Sequence, residues 1–294
     1  MKIGYPCINL SINLKARTLR LATYSEEKFK EIVENNLNYL GKILEYNIAN
    51  GILFLRISSD IIPFASHPVC DVDWAQYYSQ ELKKLGLVIK KNNIRISMHP
   101  DQFILLNSPN IKVLKNSISE LQYHAKLLDS LKLNNSHKIQ IHVGGVYDDK
   151  IKSLERFVLN YRKLPSKIKK RIVIENDDRL YSLADCLFIN KKTGVPILFD
   201  VFHHKCHNQG ESISLALKKA ATTWKEKDGD PMVDYSSQKA HARKGSHAES
   251  LNPRDFLDFA KILGKKNIDV MLEIKDKEKS ALKALELLRK KNKN

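Results

Sequence analysis

Eight short β-rich apolar runs, alternating with amphipathic segments from end to end, predict an α/β protein built as a single (βα)8 TIM barrel. Two further observations support that reading. No Gly/Ser/Pro-rich linker and no readable repeat divides the 294 residues, so residues 1–294 read as one domain. The His, Asp and Glu residues also fall at the C-terminal ends of the runs, where a barrel has its mouth. An open doubly wound sheet is the alternative, but no GxGxxG follows the first run to hold a phosphate.

In order, the expected strands are residues 2–8, 52–57, 94–98, 138–143, 171–175, 196–201, 232–235 and 270–274. Helical spacing of apolar residues marks 26–46, 74–91, 111–131, 150–162, 212–224, 253–263 and 277–290, with 179–190 ambiguous. After the second strand come Arg56-Ile57-Ser58-Ser59-Asp60 and Ala65-Ser66-His67. The third ends in Met98-His99-Pro100-Asp101-Gln102-Phe103, the fourth in Ile141-His142-Val143-Gly144-Gly145 and the fifth in Ile174-Glu175-Asn176-Asp177. The sixth ends in Asp200-Val201-Phe202-His203-His204, the seventh in Asp234-Tyr235-Ser236-Ser237 with His247 beyond, and the eighth in Leu272-Glu273.

The composition, 43% hydrophobic and 28% charged with 11 Gly and 9 Pro, excludes a disordered chain, a collagen-like chain and a disulfide scaffold. Fifty Lys and Arg against 33 Asp and Glu give a net charge of +17, which favours polyanions such as nucleic acid or acidic lipid. The densest basic stretches are residues 167–171 and 289–294; either could touch a phosphate backbone, and solvated helix ends are the plainer reading. Cys7, Cys70, Cys186 and Cys206 form no CxxC pair, so a reducing compartment is expected, cytoplasmic and nucleoid-associated or nuclear. No secretory h-region opens the chain, and no apolar run approaches the roughly 20 residues of a membrane span. Neither secretion nor a membrane is expected, and a monomer is the default.

A barrel brings the C-terminal ends of all its strands to one mouth, so these imidazoles and carboxylates converge although they are distant in sequence. Such a mixture suits Zn2+, Mn2+ or Fe, and more than four groups imply more than one ion. Ions held side by side can activate a water and stabilise the leaving oxygen in phosphodiester hydrolysis. Glu175 and Glu273 end apolar strands, where an unpaired carboxylate is costly, so each needs a metal or a cationic partner; Lys275 is a candidate for the latter. In 203–207, an extended segment would point neighbouring side chains to opposite sides. His203 is then the ligand, and His204 and His207 are surface residues. His124 and His137 are bystanders, in a helix and just before a strand.

Taken in order, these motifs resemble the UV damage endonucleases along essentially the whole chain. The resemblance implies an ATP-independent DNA repair enzyme that nicks duplex DNA 5′ to UV photoproducts (cyclobutane dimers and 6-4 photoproducts) after flipping out the damaged dinucleotide. It also implies a TIM barrel related in architecture to endonuclease IV, with two or three divalent ions, Mn2+ first and Zn2+ or Mg2+ as alternatives. His67, His99, His142, Glu175, Asp200, His203, His247 and Glu273 become the expected ligands, with Glu175 a bridge; Glu175, Asp200 and Glu273 are the catalytic carboxylates. Gln102 and Phe103 stand where the family wedges a Gln-Tyr pair into the duplex, and Tyr5 and Asn9 where it lines the lesion pocket.

Two positions depart from the family pattern. Phe103 replaces Tyr, which keeps the stacking face and loses a hydroxyl. Met232-Val233-Asp234 replaces Lys-x-His, so the lysine that some members carry as a carbamate is missing, while Asp234 can still bind a hard divalent cation. An abasic-site endonuclease, a sugar isomerase on the same barrel and a DNA-binding barrel without catalysis are the alternatives.

Overall fold

The computed structural model describes residues 1–101 and 103–291. Eight parallel strands close a barrel in chain order: β1 (Ile3–Pro6), β2 (Phe54–Ile57), β3 (Arg95–Met98), β4 (Lys138–His142), β5 (Ile172–Glu175), β6 (Ile197–Asp200), β7 (Met232–Tyr235) and β8 (Asp269–Leu272). The pairing of Ile3 with Val270 completes the ring. The main helices are α1 (Glu26–Asn50), α2 (Trp74–Tyr77), α3 (Ser79–Lys91), α4 (Ile111–Ser130), α5 (Lys150–Lys163), α6 (Ser166–Lys169) and α7 (Leu183–Thr193). They continue with α8 (Val201–Cys206), α9 (Ile213–Ala221), α10 (Pro253–Leu263) and α11 (Glu278–Lys291). The ambiguous stretch is α7, started by a Ser182/Asp185 capping box and stopped by Gly194 at φ 74°. The segment expected as one helix over 74–91 breaks at Tyr78 into α2 and α3.

Strand residues alternate between the helix layer and the barrel interior. The interior is polar at both ends and apolar between. Phe54, Val173, Leu198, Met232 and Met271 form their own buried cluster, and each precedes by two positions a charged residue of the mouth: Arg56, Glu175, Asp200, Asp234 and Glu273. Below this belt the other end of the barrel is plugged. Arg95 pairs with Asp269 at 3.2 Å, Lys138 with Asp228 at 2.6 Å, and both cations lie about 6 Å from the Trp224 ring (5.8 and 5.9 Å).

The basic run at 167–171 leads directly into β5, and α11 returns antiparallel to the strands. Both therefore lie at the end opposite the mouth. Arg171 is buried against Asp129 at 2.6 Å and three backbone carbonyls, so it is a structural cation; 292–294 fall outside the described residues. No helix among the described residues is long and apolar enough to cross a membrane.

Candidate metal centre

The mouth is assembled by strand ends and by one cap. Asp200 ends β6 and is also the N-cap of α8, its Oδ1 accepting from the His203 N–H at 2.6 Å. Asn176 fixes that corner, donating from Nδ2 to the Asp200 carbonyl and accepting the Asp200 N–H, each at 3.0 Å. Residues 201–206 are therefore helical, not extended as expected, because the cap turns the chain at once. The turn carries His203 over the mouth, where Nδ1 lies 3.1 Å from Glu175 Oε1 and 3.4 Å from Asp200 Oδ2. His204 is buried rather than at the surface, its ring against Phe199 and its Nε2 3.1 Å from the Glu211 carbonyl.

Glu175 is the centre of the arrangement. Its Oε2 is 3.4 Å from His99 Nε2 and 3.8 Å from His142 Nε2. His99 Nδ1 donates to the Pro100 carbonyl and His247 Nδ1 to the Glu273 carbonyl (3.0 and 2.7 Å), which frees Nε2 of each ring as a ligand. Among the described residues, three groups of side chains, each with ligand atoms within 4.8 Å of one another, could hold a cation: His99/His142/Glu175, Glu175/Asp200/His203 and Asp200/Asp234/Glu273. The first two share Glu175. Buried polar atoms without a partner collect here: Glu175 Oε1, Asp200 Oδ2, Asp234 Oδ1 and His142 Nδ1. Hard oxygen donors and imidazoles left without partners fit divalent ions.

The electrostatics agree. Burial pushes the Asp200 carboxyl up to about 8, with Glu175 and Glu273 adding to the shift. Burial also drives Asp234 well above the carboxylate range, against the pull of Arg56. Burial acts the same way on Glu175, but His142, His203 and His99 outweigh it and hold this carboxyl well below the usual range. His203 is raised to about 11 because Asp200 and Glu175 overcome its desolvation. Carboxyls pushed up by burial in this way are ones that added positive charge would stabilise in the ionised form.

One cation at the centre escaped the sequence reading. Arg56, buried in β2, reaches Glu273 with Nη1, and with Nη2 it reaches Asp234 at 2.7 Å and Gln140 Oε1 at 2.8 Å. Gln140 Nε2 then donates to Asp234 Oδ2 and Glu175 Oε2 (2.6 and 2.5 Å). Lys275, the cationic partner considered for the strand-end carboxylates, instead pairs with Glu249 at 2.9 Å on the surface. The available signal was a polar residue at inward alternate positions of apolar strands, as in Phe54-Leu55-Arg56-Ile57 and Lys138-Ile139-Gln140-Ile141-His142.

Other candidates lie apart. His67 is exposed, accepts the Val69 N–H at 3.1 Å on Nδ1 and belongs to none of the three groups. It lines a neighbouring cavity of about 260 Å3 together with Leu19, Phe64, Asp101 and Phe103. Phe103 is 61% exposed at that rim; Gln102 lies outside the described residues. Tyr5 and Asn9 are buried. The Tyr5 hydroxyl donates to Asn47 Oδ1 at 2.7 Å and accepts from Asn9 Nδ2 at 2.8 Å, while Tyr39 bonds both the N–H and the carbonyl of Asn9. The pair thus anchors the loop before α1 instead of opening polar atoms to a ligand. His124 and His137 are buried bystanders, bonded to Ser59 and to the Ile96 N–H, and His241 is exposed in the loop after β7.

A sequence profile of the UV-endonuclease UvdE family matches residues 1–293. The UV DNA damage endonuclease of Clostridium perfringens is 42% identical over 300 aligned residues, covering 100% of this chain and 72% of that protein. The crystal structure of SacUVDE is 47% identical and superposes with a TM-score of 0.95 over 100% of both chains. Endonuclease IV from Thermus thermophilus shares the fold at a TM-score of 0.61 and 12% identity, over 98% of both chains.

Proposed function

Because the chain belongs to the UV-endonuclease UvdE family, we propose that it is a UV DNA damage endonuclease whose mouth hydrolyses the phosphodiester 5′ to a photoproduct with the help of divalent ions, Mn2+ first. The observation that carries the chemistry is Glu175, one buried carboxylate shared by two groups of ligand atoms. His99, His142, Glu175, Asp200 and His203 would hold the ions, with His247 beside His203 at a ring distance of 6.2 Å. Ions bound there supply Lewis-acid activation of water and neutralise charge on the phosphate. The chain's own groups do the rest. Asn176 and the cap of α8 hold Asp200 and His203 in place, and the backbone carbonyls on His99 and His247 set their tautomers.

Duplex DNA would be steered by cations on the loops that follow the strands, among them Lys15, Arg20, Arg179, Arg243 and Lys244, all exposed on the mouth side. Phe103, exposed at the rim, offers a stacking face to the gap that opens when a damaged pair of nucleotides leaves the helix, and Gln102 adjoins it in sequence. Lesions that already weaken stacking flip at least cost, which gives selectivity without ATP.

The test is nicking of supercoiled plasmid, UV-irradiated against unirradiated and against abasic plasmid, with Mn2+ or with chelator, for the wild type and Glu175→Ala. Nicks that require irradiation, metal and Glu175 support the reading. Equal nicking of unirradiated DNA, a preference for abasic plasmid, or nicking that survives Glu175→Ala refutes it.

A further inference from the structure

We propose that Arg56 is the resident cation of the Asp200/Asp234/Glu273 group, so that the mouth binds two divalent ions and this third group of ligand atoms is closed to metal. The inference deepens the metal-dependent reading above and rests on it.

Three groups of side chains have the composition of cation sites, and they are not equivalent. Two lie around Glu175 and include imidazoles. The third, Asp200/Asp234/Glu273, has only carboxylates, and two of its three members each give one oxygen to the same guanidinium, Asp234 Oδ2 to Nη2 at 2.7 Å and Glu273 Oε1 to Nη1, so an ion taking the remaining Asp234 Oδ1 and Asp200 Oδ2 would sit directly beside that charge. Gln140 locks this pairing. Its Oε1 accepts from Arg56 while its Nε2 donates to Asp234, so Arg56, Asp234 and Gln140 form a closed ring of hydrogen bonds. A guanidinium in the middle of a barrel is tenable only while so paired, and it cannot leave: below it lies the apolar belt that includes Phe54 and Met232. An ion at the third group would face a fixed positive charge sharing its ligands. Asp200 remains free to serve the neighbouring Glu175/Asp200/His203 group.

Charge balance supports the same count. Glu175, Asp200, Asp234 and Glu273 oppose one guanidinium. With all four ionised and the imidazoles neutral, two divalent ions leave a single net positive charge, the match for one phosphodiester; three would leave three.

The experiment is metal content per chain by inductively coupled plasma mass spectrometry, after loading with Mn2+ and desalting. The wild type is expected to hold two ions. Asp234→Asn, nearly isosteric, is expected still to hold two, because Asp234 answers to Arg56 and not to a metal. Arg56→Met, checked for folding by circular dichroism, is expected to gain a third. Three ions or one in the wild type, loss of an ion in Asp234→Asn, or no gain in a folded Arg56→Met overturns the proposal. A wild type that retains none refutes the metal-dependent reading itself, a different result from a wrong count.

Discussion

Tyr5→Phe decides whether the first strand touches DNA or holds a loop. The substitution removes one oxygen from a side chain that is 0% exposed and leaves the ring in place. Two partners are stranded: Asn47 Oδ1, which the hydroxyl meets at 2.7 Å, and Asn9 Nδ2, at 2.8 Å. Each buried polar group left unmatched costs about 1–3 kcal/mol, so the pair costs about 2–4 kcal/mol after some rearrangement of Asn9. With an unfolding entropy of about 2.1 cal/mol/K per residue, a chain of 294 residues loses about 3–6 °C in Tm. The assay is thermal unfolding by circular dichroism, paired with the ratio of affinities for UV-irradiated and intact duplex. The expected result is a lower Tm with that ratio little changed. An unchanged Tm with a collapsed ratio would show that Tyr5 reads the lesion and that its burial was misinterpreted.

Phe103→Ala is expected to do the reverse: weaken binding of irradiated duplex by about 5- to 150-fold, as loss of stacking worth about 1–3 kcal/mol implies, without lowering Tm. Fluorescence anisotropy checks it, and equal affinity would remove Phe103 from the interface. Burial lowers His124 to about 4 and His137 to about 3, so the unfolded chain binds protons that the folded one refuses. Their contribution is intact above the unfolded value near 6.5 and is lost as pH falls toward the folded values, by roughly 1.4 kcal/mol per pH unit for each ring. Thermal melts between pH 7 and 5 should fall accordingly, and His137→Gln should shallow the slope; an unaltered slope would contradict the assignment.

The barrel was readable because its strands end in charges at matching positions. What placed His99, His142, Glu175 and Asp200 together was topology alone, since closure of eight parallel strands leaves their C-terminal ends nowhere else to go. Contacts across the interior were not readable. Arg56 meets Asp234 and Glu273 only because β2, β7 and β8 face one another through the lumen, a distance that sequence spacing does not encode. Residues 201–206 were misread for a local reason: Asp200 serves at once as site carboxylate and helix cap, so the strand has no loop to run into. The burial of Tyr5 and Asn9 was not readable, because the partners that bury them, Asn47 and Tyr39, come from a helix whose docking no local pattern reveals.

The apolar belt and the Trp224 plug beneath it turn the site into a blind well with a single opening. Ions can arrive and depart only through the face that a bound duplex would cover. On the proposed metal-dependent reading, loading and DNA binding would be ordered in time: metal would enter first, and a bound duplex would close the way out. Scarcity of metal would then act on the free protein and spare the complex already formed.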